Sequence, residues 1–125
     1  MFVGFICLAN NNEIENIMGR PYLGEFEELV LLTVAVLEGS AYGVTIAAEL
    51  KQRTDRVISL SGVHVALYRL EEKGFVQSTL GGATSERGGR RKRYFSITGL
   101  GKRTLDEMRD VRNELWSAIP KLSFN

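Results

Sequence analysis

Apolar residues recur at helical spacing in four stretches of the chain and alternate in two, and the order of those stretches sets an architecture. Between residues 25 and 38, Phe26, Leu29, Val30, Val34 and Leu37 lie on one stripe, the first turn is acidic, and Gly39 marks the end. Leu31, Leu32, Ala35 and Val36 carry the apolar surface most of the way round, so this helix needs burial on two sides. Its own chain can wrap it, or a second subunit can cover the far side; the dimer is the expectation.

Ser40 is placed to cap a second helix ending near Arg53, with Val44, Ala47, Ala48 and Leu50 as its core positions. A third helix is predicted over residues 61–73, where Val63, Ala66, Leu67 and Leu70 recur at helical spacing and Gly74 terminates it. Its opposite face carries His64, Val65, Tyr68 and Arg69. The period then changes to two, giving strands over residues 75–80 and 92–98 joined by a glycine-rich loop too long for a tight turn. Thr98 caps a last helix to about Ala118, with Leu105, Met108, Val111, Leu115 and Ile119 at core-like spacing and Pro120 just beyond. Residues 1–21 show no sustained periodicity and read as a flexible extension, with Met18 an alternative start of translation; the competing reading packs Phe2, Phe5, Ile6 and Leu8 onto the domain. The expected organisation is therefore that extension, a body over residues 22–98, and a C-terminal helix and tail over 99–125.

Composition narrows the chemistry. In 125 residues there is one cysteine, Cys7, and one histidine, His64, so no disulfide, metal cluster or catalytic triad can be assembled. No carboxylate pair or phosphate-binding loop opening a helix is present either, and the expectation is a non-enzyme without cofactor or metal. The apolar run from Phe2 to Ala9 is far shorter than the roughly 20 residues that span a bilayer, and no basic residue precedes it as in a signal peptide. A cytoplasmic protein with no membrane partner is expected.

The net charge of +1 conceals an uneven distribution. Residues 1–50 hold one basic side chain, Arg20, against seven acidic ones, whereas five of the remaining fifteen Lys and Arg fall between Arg87 and Arg93. That basic run, with its glycines, lies at the tip of the predicted hairpin, directly after a helix with a polar outer face. Three helices followed by a basic hairpin form the order of a winged helix-turn-helix, mostly α with a small β-hairpin, and double-stranded DNA is the expected partner. The third helix is slim enough for a major groove, Arg and Lys of the wing bring phosphate affinity through counterion release, and Gly88 and Gly89 let the backbone approach closely. Candidate contacts are Ser61, Gly62, His64, Val65, Tyr68 and Arg69 on the helix, and Arg87, Gly88, Gly89, Arg90, Arg91, Lys92 and Arg93 on the wing. His64 reads equally as a base or phosphate contact and as plain surface, Arg69 either faces the DNA or pairs with an acidic neighbour such as Glu72, and the Tyr94 ring is expected to pack under the wing. A winged helix that binds protein instead of DNA is the alternative, and a basic wing argues against it.

Four segments resemble a known family: Tyr22-Leu23-Gly24-Glu25-Phe26-Glu27-Glu28-Leu29-Val30-Leu31-Leu32, Ala41-Tyr42-Gly43, Leu67-Tyr68-Arg69-Leu70-Glu71-Glu72-Lys73-Gly74, and Gly88-Gly89-Arg90-Arg91-Lys92-Arg93-Tyr94-Phe95-Ser96-Ile97-Thr98. In this order they are similar to the PadR family of bacterial transcriptional regulators, in its short form with a single C-terminal helix. The resemblance implies a homodimeric repressor whose third helix enters the major groove, whose wing touches the backbone and whose last helix pairs subunits. The chain departs from the family's Gly-Thr-Leu-Tyr-Pro-like start of the third helix, having Ser61-Gly62-Val63-His64-Val65, with His64 where the tyrosine stands. The expected dimer seam comprises Leu105, Met108, Val111, Leu115 and Trp116 with Leu31 of the first helix, and two such protomers would read an inverted repeat. A small-molecule effector would bind at that seam or between the last helix and the body. Trp116 reads as dimer packing in preference to a ligand platform.

Overall fold

The computed structural model describes residues 23–81 and 91–121; the predicted extension and most of the wing loop lie outside them. Helix α1 (Glu25–Val36) starts where Glu27 accepts a hydrogen bond from the Gly24 N–H at 3.3 Å, and its first turn carries Glu25, Glu27 and Glu28 against the positive end of the helix dipole. It stops two residues short of the predicted end: Leu37 donates back to the Thr33 carbonyl and Gly39 takes a φ of 86°, open to glycine without strain.

Helix α2 (Gly43–Thr54) is not capped by Ser40. The Ser40 hydroxyl donates to the Leu37 carbonyl, while Thr45 Oγ1 accepts from the Tyr42 N–H at 3.0 Å and fixes the cap two residues later, at Tyr42. The buried face of α2 runs through Gly43, Ile46 and Leu50 with Ala47 packed beside them, so Leu50 and Ala47 point inward as expected while Val44 and Ala48, expected inside, are exposed on neighbouring positions of the turn. Helix α3 (Leu60–Glu72) begins at Ser59, whose hydroxyl accepts from the Gly62 N–H at 3.0 Å, and ends at Gly74 with φ 82°. Val63, Ala66, Leu67 and Leu70 are all buried, as their spacing predicts.

Strands β1 (Val76–Leu80) and β2 (Arg93–Ile97) form an antiparallel pair in which Val76 faces Ile97 and Leu80 faces Arg93. The ribbon is tied to the helices at its base, where the Phe95 N–H donates to the Ala41 carbonyl at 2.8 Å. Helix α4 (Gly99–Ala118) follows at once: the Thr98 hydroxyl donates to the Gly74 carbonyl and accepts from the Gly101 N–H, stapling its first turn to the end of α3. Gly101 passes so close to the Phe75 carbonyl that a Cβ there has no room.

The core lies where α1 packs on α2, α3 and β2, with Val30, Leu31, Val34, Ile46, Val63, Leu67, Leu70 and Phe75 fully buried. Each such side chain contributes about 1.5–3 kcal/mol by leaving water. Glu27 of α1 accepts from Lys73 at 2.9 Å, with both side chains mostly buried, which fixes the C-terminal end of α3 against α1 and holds its outer face steady. Beyond Met108 the residues of α4 are exposed, though the helix still runs beside α1.

Candidate nucleic-acid interface

With four α3 residues committed to the core, the helical period turns Ser61, His64, Val65 and Tyr68 outward on one stripe, and all four are exposed. Gly62 is half-buried beneath the cap, its N–H held by Ser59. Arg69 is exposed on the flank, its guanidinium 4.0 Å from the Glu27 carboxylate, so its acidic partner comes from α1 and not from its own helix. The Glu72 carboxylate beside Tyr68 hydrogen-bonds the phenol and raises its pKa above the usual 10, which keeps the hydroxyl protonated.

His64 reaches sideways over the start of α2. A Cβ on Gly43 would lie 2.6 Å from the imidazole Cε1 and 2.9 Å from Nε2, so only glycine leaves the ring its place. The next residue back, Tyr42, meets the wing: the Lys92 ammonium sits 4.7 Å from the centre of the Tyr42 ring and donates to its hydroxyl at 3.3 Å. Tyr94 packs edge-on against the same ring, centroids 5.4 Å apart, and is half-buried as expected. Gly81 allows this, because a Cβ there would lie 2.8 Å from Tyr94. A continuous path of contacts therefore runs from His64 through Gly43 and Tyr42 to Lys92.

Strand alternation puts Lys92 and Tyr94 on the face toward α2 and Arg93 on the other. There Arg93 donates to the Ser78 hydroxyl at 3.0 Å, and Ser78 donates in turn to Glu71 at 2.7 Å, so Arg93 is held across the ribbon. Arg91, Lys92 and Arg93 are all exposed, while Arg87, Gly88, Gly89 and Arg90 lie outside the described residues. Sequence reasoning placed Tyr42 in a family-like segment, Ala41-Tyr42-Gly43, but assigned it no contact. Its wing partners are about 50 residues away in the chain.

The residues expected at a dimer seam separate into two groups. Leu31 is 0% exposed and belongs to the protomer's own core, because the burial centre of α1 falls between Val30, Leu31 and Val34; Leu32 and Val36 present the outer apolar surface instead. Leu105 is also buried and Met108 half-buried against that core, whereas Val111, Leu115 and Trp116 are exposed, Trp116 at 72%. Between α1 and α4 runs a groove of about 480 Å³ with Leu32, Ala35, Leu105 and Trp116 on its apolar surface and Glu28, Lys102, Asp106, Arg109 and Arg112 at its rim. Arg112 bonds Glu28 across it. No helix among the described residues is long and apolar enough to cross a membrane.

A buried three-helix body with an outward recognition helix and an antiparallel ribbon fixed beside it is a winged-helix DNA-binding module. Known structures share this fold. A PadR-like transcription factor from Bacteroides fragilis is 22% identical, with 78% of this chain and 89% of that one covered at a TM-score of 0.62. A PadR-like transcriptional regulator from Bacillus cereus is 18% identical over 75% and 86% at 0.60, and a PadR family transcriptional regulator from Eggerthella lenta is 26% identical over 78% and 83% at 0.60. No curated protein matches the chain. Residues 31–107 match the transcriptional regulator PadR-like family, and the chain belongs to it. It is a DNA-binding transcriptional regulator and not an enzyme.

Proposed function

We propose that the chain acts in the cytoplasm as a homodimeric repressor that binds an inverted-repeat operator. In this reading the α3 helices of two protomers enter successive major grooves, Ser61, His64, Val65 and Tyr68 reach base edges, and the wing residues from Arg87 to Arg93 hold phosphates and set the register. Residues 22–98 supply the DNA-binding part and residues 99–125 the pairing helix and tail, with residues 1–21 as an extension.

The observation that carries the reading is how the exposed surface divides. The α3 stripe and the basic base of the wing stand together, and a separate set of exposed apolar side chains lies on α4 (Val111, Leu115 and Trp116) and α1 (Leu32 and Val36), with Leu32 and Trp116 lining one groove. Uncovered apolar surface of this kind favours a subunit partner, and a two-fold pair through it presents two α3 helices to one duplex. The groove between α1 and α4 is where an effector would act, since a ligand there would shift the pairing helix relative to the body.

Sedimentation and footprinting test this. The expected result is a dimer of about twice 14.0 kDa at micromolar concentration that protects two half-sites one helical turn apart, with transcription from the bound promoter rising when the protein is removed. A monomer that protects a single half-site would reject the homodimer.

A further inference from the structure

Resting on the reading that α3 enters the major groove, the residue types on its outer face say what kind of base it reads. From Leu60 to Tyr68 there is no Arg, Lys, Asn or Gln. Arg and Lys bond guanine through O6 and N7, and Asn and Gln bond adenine through N6 and N7. Those pairings are therefore closed to this stretch. Arg69, on the flank, lies against the Glu27 carboxylate. Of the polar groups that do face outward, the Ser61 hydroxyl suits either a donor or an acceptor, the Tyr68 hydroxyl is engaged by Glu72 of its own helix, and an imidazole N–H such as that of His64 can donate to the N7 that adenine and guanine share. None of the three separates one base pair sharply from another.

What remains is apolar. Leu60 is 43% exposed and Val65 53%, at the N-terminal half of α3, the end that meets base edges in helix-turn-helix docking. Leu60 is held against the start of α2, where its Cδ1 would be 3.3 Å from a Cβ on Gly43. Val65 is β-branched and stiff, and stands between Ser61 and Tyr68 on the outward stripe. The one apolar group on a base edge in the major groove is the 5-methyl of thymine. We infer that Val65 and Leu60 read thymine methyl groups, so that each operator half-site is specified chiefly by thymines and not by guanines bonded to an arginine.

The test replaces thymine by deoxyuridine, one position at a time, in a duplex selected from a random pool by the full-length chain. Deoxyuridine pairs identically and lacks only the methyl. At one or two positions in each half-site the wild type should lose about 4-fold in affinity per methyl no longer buried. The exposed-site substitution Val65→Ala should abolish that penalty at its own position, and Leu60→Ala at another, with the remaining thymines still discriminated. A sequence-specific wild type that binds deoxyuridine and thymine duplexes equally well would overturn the inference and leave the DNA-binding reading intact. A pool that yields no enriched sequence would overturn the reading that α3 selects bases in the major groove, and the inference with it.

Discussion

The outward face of α3 and the base of the wing are neighbours, joined through Gly43 and Tyr42, yet they offer a duplex different chemistry. The α3 stripe of Ser61, His64, Val65 and Tyr68 carries no fixed positive charge, and the nearest cation is drawn toward Glu27. The wing base carries Arg91, Lys92 and Arg93, two of them held by named partners, Tyr42 and Ser78. Phosphates respond to charge and are the same in every sequence, whereas base edges respond to shape and to groups that charge does not distinguish. The difference assigns affinity to one surface and selectivity to the other.

The most severe way to break this division is to leave both surfaces intact and separate the protomers. Leu115→Glu combined with Trp116→Glu should yield a monomer in sedimentation and cost on the order of 1,000-fold in operator affinity, because the second half-site is no longer held at high effective concentration. Both side chains are exposed, so the protomer's own melting temperature should hardly move. Next in size, replacing Arg90, Arg91 and Lys92 by Ala should weaken binding to operator and random duplex alike by on the order of 100-fold and make the log–log salt slope shallower by about 3. Fluorescence anisotropy across a salt series reads both effects.

Gly43→Ala sharpens the comparison from the other side. The new methyl displaces the His64 ring, an exposed side-chain end, so the fold should stay within about 1 kcal/mol while operator affinity drops about 5-fold and random-duplex affinity holds. Tyr42→Phe is the mildest change. It keeps the ring under Lys92 and beside Tyr94 and removes only the hydroxyl, and should cost about 2-fold on all duplexes, with no further loss in a Lys92→Ala background.

How much of this was legible in the sequence depends on how local the cause is. The buried face of α3 and the Thr98 cap follow from spacing and from one hydroxyl, and both stand as expected. The start of α2 does not, because Ser40 and the Tyr42–Thr45 pair are both plausible caps and the Ser40 hydroxyl turns back to Leu37 instead. Helix α1 is apolar all round, so periodicity cannot say which residues meet the core, and Leu31 proves buried where Leu32 faces out. The stripe on α3 was readable as what the core leaves over. The Tyr42–Lys92–Tyr94 cluster was not, since it exists only once the ribbon folds back on α2, bringing together residues about 50 positions apart.

The central claim is that a basic wing holds any duplex while α3 chooses one, and selection of bound duplexes from a random pool by the full-length chain, followed by salt titration of the winner, tests it most directly. The account predicts an enriched inverted repeat whose affinity falls steeply with salt, and a random duplex that follows the same salt slope at lower affinity. An absence of binding even at low salt would contradict it and favour a winged helix that binds protein.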